Sequence, residues 1–458
     1  MKHKNFDQYK RILRFLAAIF VIATSTCIFM EMWKDYYNFG TVFPFYNKGH
    51  WLMAAVYAVF VFLFFYIYGG LKFGYLKRSN VILSQILAIV CANVMAYIQI
   101  VLLSARFVNA IPIALTTVVD MVLIVVWSYF VDYIFKKLFP PRKLLLLYEE
   151  YPPQNMLSKM NLRKDRYEVD KLMNINEGWE KVEACINESE AVLVYDVHAP
   201  FRNKILKHCY ANSIRVYVTP KISDILIRSS ENIHLFDTPL LLSRNSGLTF
   251  EQKFIKRAMD IVIALIVLIL TSPFMLLTAI AIKLYDGGPV FFRQDRCTIG
   301  GKVFSIHKFR SMIVDAEKDG LVTPTADKDP RITPVGKFIR ATRLDELPQV
   351  FDILSGNMSV VGPRPERVEH VEKYTAEIPE FEYRLKVKGG LTGYAQIYGK
   401  YNTTAYDKLK LDLMYIQNYS VLQDIKLILM TVKVMFMKES TEGFDENQIQ
   451  EIQSQERD

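Results

Sequence analysis

The residues best suited to chemistry lie together in "RLDELPQ", where Asp345 and Glu346 are adjacent, Arg343 stands just before them and Pro348 just after. Proline is best tolerated in the first turn of a helix, so the spacing predicts a helix over 348–354 with the acid pair at or just before its N-terminus. That end of a helix carries partial positive charge and free N–H groups, which suits anions. Two readings follow. In one, the carboxylates act on a substrate. In the other, Asp345 only caps the helix and Glu346 only complements its dipole.

The surroundings favour chemistry. "GPVFFRQDRCTIGGKVFSIHKFRSM" reads as a hairpin of short strands turned at Gly300-Gly301, spacing out Arg293, Arg296, Lys302, Lys308 and Arg310. "DKDPRITPVGKFIRATRLDELPQ" adds Arg331, Lys337, Arg340 and Arg343, and "GNMSVVGPRPE" holds Arg364 between Pro363 and Pro365. "KVKGGLTGYAQIYGKYN" brings Lys386, Lys388 and a glycine-bearing loop. Guanidinium groups in rigid Pro/Gly loops grip phosphate through paired hydrogen bonds. One such arginine is ordinary surface, but a set of them around one acid pair points to a phosphate substrate.

The elements that must position this set include a long apolar run, Lys253 to Phe292, interrupted at Ser272-Pro273. Proline removes a backbone donor and clashes with the preceding turn, so the helix is expected to kink or break there. The run is long enough to cross a bilayer. If it crossed, the basic half that follows would lie on the wrong side of the membrane. The expectation is a re-entrant helix over 254–285 that dips in and returns, with its break at Ser272 and Pro273.

Four further apolar runs occupy residues 11–138, each near the ~20 residues that span a hydrocarbon core. Lys and Arg gather in the N-terminal tail, in the second loop (Lys72, Lys77, Arg78) and after the fourth run (Lys136, Lys137, Arg142, Lys143), which puts both ends of this bundle in the cytoplasm. Asp120 lies inside the fourth run, where a role in helix packing or at an interface is expected in preference to transport. Residues 143–245 alternate short β-rich runs with amphipathic stretches, as in a doubly wound parallel sheet. The first strand-to-helix turn, "YEEYPPQN", has no glycine, so the domain lacks the fingerprint for a dinucleotide and reads as a regulatory or assembly module. His198 is expected to be a solvated loop residue.

Composition agrees with membrane association. The 458 residues are 51% hydrophobic, the formal net charge is +9, and the mean hydropathy is +0.14. A basic excess in such a chain suits an anionic lipid surface and an anionic substrate. Nucleic acid is not expected as a partner, because no basic stripe with interleaved aromatics appears outside the membrane flanks. Five cysteines with no CxxC read as reduced thiols rather than disulfides or a zinc site.

Residues 251–437 resemble the catalytic domain of the bacterial sugar transferases, monotopic polyprenyl-phosphate hexose-1-phosphate transferases. The matching strings are "KRAMDI", the hydrophobic "SP", "GPVFFRQ", "KVFSIHKFRSM", "DPRITPVGKFIR", "RLDELPQ", "GNMSVVGPRP", "GLTGYAQI" and "DLMYIQNYS". The four spans and the fingerprint-free α/β domain are similar to the long subclass of that family. Cys297, Gly389 and Asp352 depart from its usual pattern.

The resemblance implies transfer of a hexose-1-phosphate from a UDP-sugar to undecaprenyl phosphate with release of UMP, initiating exopolysaccharide, capsule or O-antigen synthesis. It implies Asp345 as a nucleophile forming a covalent phosphosugar intermediate and Glu346 as a ligand for Mg²⁺. Arg343 and Arg364 would bind phosphates, with Lys308 and Arg310 as further contacts. It also implies a homodimer in the bacterial inner membrane with the catalytic domain on the cytoplasmic face. The competing reading is a non-catalytic membrane scaffold or regulator of polysaccharide assembly.

The expected architecture is therefore a membrane protein of α plus α/β class. Residues 1–140 would form a four-helix transmembrane bundle and 141–248 a Rossmann-like domain. Residues 249–437 would form an α+β catalytic domain anchored by the re-entrant helix, and 438–458 a disordered tail.

Overall fold

A computed structural model describes residues 6–243, 247–314, 316, 329–400 and 403–437, so the expected tail lies outside the described residues. Two compact units meet at Lys221/Ile222, earlier in the chain than position 248.

The first unit opens with four long helices: α1 Lys10–Met32, α2 Lys48–Tyr68, α3 Arg78–Ser104 and α4 Ile111–Leu138. Each is long and apolar enough to cross a membrane. Their facing sides bury Val21 and Phe29, Tyr57 and Phe65, Ile89 and Ile100, and Ile124. Ala88, Ala92 and Ala96 recur every fourth residue on the buried side of α3, and small side chains there let helices approach closely. Phe62, Val118, Val122 and Val126 face outward, fully apolar.

The same unit continues into β1 Arg142–Tyr148, α5 Gln154–Asn161, β2 Tyr167–Asn174, α6 Trp179–Glu188, β3 Ala191–Tyr195, α7 Ala199–Ala211 and β4 Arg215–Val218. The strands form one parallel sheet in the order β2-β1-β3-β4. Continuous apolar runs such as Leu144 to Leu147 and Ala191 to Val194 form buried strands because helices cover such sheets on both faces. His198 is exposed, as expected, and its Nδ1 lies 2.6 Å from Glu149 Oε2.

The second unit begins with α8 Ile222–Arg228, whose Ile222 and Ile225 join a core with Leu409 and Leu413. A hairpin follows, β5 Glu231–Leu235 and β6 Thr238–Leu242, which the sequence reading did not anticipate. Then come α9 Phe250–Asp286, β7 Phe291–Cys297, β8 Val303–Phe309, α10 Pro334–Ala341, α11 Gln349–Leu354, β9 Ser359–Val361 and α12 Val368–Glu377. The described chain closes with β10 Gly390–Thr392, α13 Tyr394–Tyr398, α14 Ala405–Gln417 and α15 Val421–Met435. Leu409, Leu413, Tyr415 and Leu427 of the last two helices enter the core, while Leu422 and Phe436 stay exposed. Core packing and an apolar outer surface are thus both present there.

The expected break at Ser272-Pro273 does not end the helix: α9 runs through Pro273 as one element. Pro273 cannot donate to the carbonyl four residues back, Ile269 O. Ser272 Oγ donates to that same carbonyl at 3.0 Å, so the group freed by proline keeps a partner. The flanking residues of α9 are anchors. Lys256 Nζ bonds Asp424 Oδ2 at 2.6 Å and Tyr415 OH at 3.1 Å. Arg257 donates to Ile353 O and Leu354 O at 2.6 and 2.7 Å, holding the last carbonyls of α11. Asp260 Oδ1 accepts from Ser359 Oγ and Val360 N, fixing β9. The "KRAMDI" string is therefore a set of buried connections rather than a solvated membrane flank. At the other end, Met275 and Ile282 pack with Phe309 and Ile339.

Candidate active site

The acid pair lies in a single 3-10 turn, Leu344–Glu346, that runs directly into α11. Arg343 opens the turn with φ 59°, left-handed backbone that a residue with a side chain adopts at a cost of order 1–3 kcal/mol. Such strain is held only where the surroundings over-determine it.

The expectation of a free helix N-terminus facing an anion is not met. α11 has six residues and starts at Gln349, with Pro348 as its N-cap. The amides of Glu346, Leu347, Val350 and Phe351 donate to Arg343, Leu344, Leu347 and Pro348 carbonyls, so the turn itself uses them. Positive charge at the site comes from side chains instead. The N-cap Pro348 makes no side-chain cap bond, and Asp345 Oδ1 is buried with no hydrogen-bond partner. Asp345 therefore makes no capping bond through Oδ1.

Lys308 comes from β8. The Gly300-Gly301 turn, with φ 66° and 76°, closes β7 onto β8 in the register Phe291↔Phe309 to Cys297↔Val303. Lys308 Nζ donates to Glu346 Oε1 at 3.1 Å. His307, its neighbour, is clamped to Asp352 of α11: the backbone amide donates to Oδ2 at 2.9 Å and the ring Nδ1 lies 2.7 Å from Oδ1. This clamp fixes the strand that carries Lys308 against the helix that follows the acid pair.

Arg364 comes from the loop after β9. Its Nη2 donates to the same Glu346 Oε1 at 3.2 Å. The loop is set by a close parallel approach of β9 and β10, where a Cβ on Gly390 would stand 2.0 Å from Gly362 N. Beneath it, buried Arg384 donates to Arg364 O at 2.9 Å and to Asp412 Oδ2 at 3.0 Å. Sequence reading missed Arg384 and Asp412 because their partners lie far away in the chain.

The structure thus brings Asp345, Glu346, Lys308, Arg343 and Arg364 together. It adds Arg340, whose charge also acts on Asp345. Arg310 is occupied elsewhere: its guanidinium bonds Asp286 Oδ2 at 2.6 Å and Pro289 O at 2.7 Å, pinning the end of α9. Ser272 and Pro273 sit within α9 and serve its backbone, as described above.

The two carboxylates are pushed apart electrically. Burial pushes Asp345 above the ordinary carboxylate range and the negative charge of Glu346 adds to this, against Lys308, Arg340 and Arg343. Glu346 is also penalised by burial, but Lys308, Arg364 and Arg343 together hold it well below that range. Lys308 is lowered, chiefly by burial. Glu346 is thus a committed anion with partners, and Asp345 an anion with an oxygen left over. Among the described residues no three His, Cys, Asp or Glu side chains gather as a metal cage.

The bacterial sugar transferase profile matches residues 251–438. Over 183 residues the chain is 42% identical to UDP-glucose:undecaprenyl-phosphate glucose-1-phosphate transferase of Caulobacter vibrioides, covering 39% of this chain and 68% of that protein. The chain belongs to the bacterial sugar transferase family. A further family member, UDP-glucose:undecaprenyl-phosphate glucose-1-phosphate transferase of Escherichia coli, is 46% identical over 205 residues, 44% of this chain and 42% of that protein. UDP-N-acetylgalactosamine-undecaprenyl-phosphate N-acetylgalactosaminephosphotransferase of Aeromonas hydrophila is 40% identical over 235 residues, 51% of this chain and 55% of that protein. The chain spans about half the length of the curated relatives it matches. The matched part of this bacterial sugar transferase contains the acid pair and every cation around it.

Proposed function

We propose that the chain transfers a sugar-1-phosphate from a UDP-sugar to undecaprenyl phosphate, releasing UMP, on the cytoplasmic face of the bacterial inner membrane. The observation that carries this reading is the buried, unpartnered Asp345 Oδ1 set among Lys308, Arg340, Arg343 and Arg364. A desolvated carboxylate oxygen without a hydrogen bond is a strong nucleophile, and the cations offset the charge of the diphosphate it must approach.

In the first step an Asp345 oxygen bonds to the phosphorus that bears the sugar. The bond from that phosphorus to the bridging oxygen breaks, and UMP leaves with the electron pair. In the second step a phosphate oxygen of undecaprenyl phosphate attacks the same phosphorus and the Asp345 carboxylate is released. Arg343 and Arg364 neutralise phosphate oxygens, and Lys308 keeps Glu346 ionised. The site also fits Mg²⁺. Lys308 and Arg364 both bond Glu346 through Oε1, and Mg²⁺ is commonly held by one or two carboxylates together with substrate phosphates. Glu346 would hold it, and the ion would neutralise charge on the departing phosphate.

The reading includes a four-helix transmembrane bundle and a re-entrant α9. Both halves of α9 pack on the same domain, through Arg257 and Asp260 at one end and Met275 and Ile282 at the other. Between them Ile266, Ile269, Leu270, Phe274, Leu277 and Ile280 are exposed. A helix gripped at both ends by one domain, with an apolar middle, supports a helix that dips into one leaflet. It would hold the site at the level of a lipid phosphate. The reading also includes a homodimer, as the family resemblance implies.

The test is UMP release from a panel of UDP-sugars plus undecaprenyl phosphate. The expected result is release with one or two sugars by the native chain and none by Asp345→Asn. Unchanged turnover in Asp345→Asn would remove the mechanism, and no release with any UDP-sugar would favour a non-catalytic role.

A further inference from the structure

The four N-terminal helices enclose a polar cluster that the transfer reaction does not use. Asp120 of α4 is 0% exposed, and neither of its carboxylate oxygens makes a hydrogen bond. It lies nine residues into α4, about 14 Å along the helix at ~1.5 Å per residue. That is near the middle of a ~30 Å hydrocarbon core. The polar groups that face it are Ser25 of α1, Asn93 of α3 and Tyr57 of α2, and none carries positive charge. All three are buried, so each of the four helices contributes one wall.

Hydrogen-bond accounting shows what kind of site this is. The Tyr57 hydroxyl donates to Asn93 Oδ1 at 2.7 Å, and Asn93 Nδ2 donates to Thr117 Oγ1 at 2.8 Å. Thr117 in turn donates to Ile113 O at 2.7 Å. The hydrogens of Tyr57 and Thr117 are therefore directed away from Asp120, and lone pairs remain. Ser25 Oγ is buried with no partner of its own. Two carboxylate oxygens, a serine oxygen and a tyrosine oxygen converge, and among the described residues the only donors left to turn toward the carboxylate are the Ser25 hydroxyl and the second Asn93 N–H, both neutral. A buried carboxylate with no positive group facing it is neutralised either by a proton or by a bound cation.

We propose that this cluster is an intramembrane site for a monovalent metal cation, held by Asp120 with Ser25 and Tyr57 as neutral oxygen ligands and Asn93 fixing the tyrosine. One carboxylate and one monovalent ion form a neutral unit, whereas a divalent ion would leave a net charge in the apolar bundle. Binding couples all four helices, because the ligands come from each or are oriented by each. The site acts as a cation-dependent clasp on the bundle.

The experiment uses the full chain in lipid nanodiscs. Choline chloride is exchanged for NaCl or KCl at constant ionic strength, and Tm and binding of ²²Na⁺ or ⁸⁶Rb⁺ are read. The expected result is a saturable rise in Tm of a few degrees with one of the two cations, and about one ion bound per chain. Asp120→Asn abolishes both, and Ser25→Ala weakens the half-saturation by about tenfold. The proposal is overturned if Tm is indifferent to cation identity, or if Asp120→Asn keeps the response. It is equally overturned if Tm rises only with falling pH and no ion is bound, which would make Asp120 a proton-holding packing residue. Should Asp120→Asn fail to fold, ion binding to the native chain and its loss in Ser25→Ala decide.

Discussion

Lys308 Nζ and Glu346 Oε1 stand 3.1 Å apart, and this bond sorts two adjacent acids into different roles. Glu346 is occupied by cations while Asp345, one residue away, keeps a buried oxygen with no partner. Adjacency alone cannot make that division; the hairpin that delivers Lys308 does.

The two acids should therefore fail differently. Asp345→Asn is expected to lower the rate by about 10⁴-fold or more, as loss of a covalent nucleophile does. Glu346→Gln is expected to lower it by about 10²–10³-fold and to raise the Mg²⁺ concentration needed for half-activity. Incubation with UDP-sugar labelled in the sugar, without lipid acceptor, should leave label on the native protein and on Glu346→Gln, but not on Asp345→Asn. Equal labelling of all three would argue against the assignment.

The pH profile carries a second prediction. In the proposed mechanism Asp345 must be ionised to attack, and burial raises its carboxyl above the ordinary range. Activity should thus fall as pH drops through a value above the usual ~4 for a carboxyl. Glu346 is held far lower and contributes nothing to this limb. Lys308 lowers Asp345, so Lys308→Met should move the acid limb of kcat/KM to higher pH. A limb that stays in place in Lys308→Met would contradict the coupling.

The same raised carboxyl predicts a trade between stability and activity. Its ionised form is disfavoured in the fold, so above the raised value it opposes folding, and the penalty disappears as pH falls below it. Asp345→Asn should therefore raise Tm at neutral pH while abolishing turnover, with the gain shrinking in acid. A Tm that drops equally at every pH would mean that Asp345 is a structural residue.

The buried ion pair of α9 predicts a structural loss. Lys256→Met leaves Asp424 buried beside Tyr415 without its cation, which costs about 3–5 kcal/mol. Denaturant unfolding of the detergent-solubilised protein checks this, and a change under ~1 kcal/mol would contradict it.

Topology can be read by cysteine accessibility. Cys297 is buried and unsuitable, but Phe250 at the start of α9 and Val303 after its end are exposed. Phe250→Cys and Val303→Cys should both resist an impermeant maleimide in intact cells and react after permeabilisation. Labelling of Val303→Cys alone from outside would mean that α9 crosses the bilayer.

Much of the site was legible because its signals are local. The acid pair, the Gly300-Gly301 turn and the arginines in Pro/Gly loops are readable from neighbours in sequence. The parallel sheet was equally legible, since buried strands such as Leu144 to Leu147 are unbroken apolar runs. What stayed hidden depends on partners far apart in the chain. Arg384 supports Arg364 from 20 residues away, and Lys256 meets Asp424 across 168. Arg310 resembles a phosphate ligand by context, yet Asp286 takes it. The amides before α11 could not be known to be spent, because a 3-10 turn and a helix start look alike in sequence. At Pro273 the helix continues for a related reason: proline shows the lost donor, but not the Ser272 hydroxyl that takes up the freed carbonyl.

The connections of α9 have a consequence for how such a protein could be trimmed. Arg257 holds the carbonyl end of α11, and Asp260 holds β9, which leads into the Arg364 loop. The long apolar helix is thus not a detachable tether but a strut of the proposed site. Cutting the chain after α9 to obtain a water-soluble fragment would remove the buttress from both walls at once. Removing the apolar helix and losing the geometry of the proposed site are one event in this architecture.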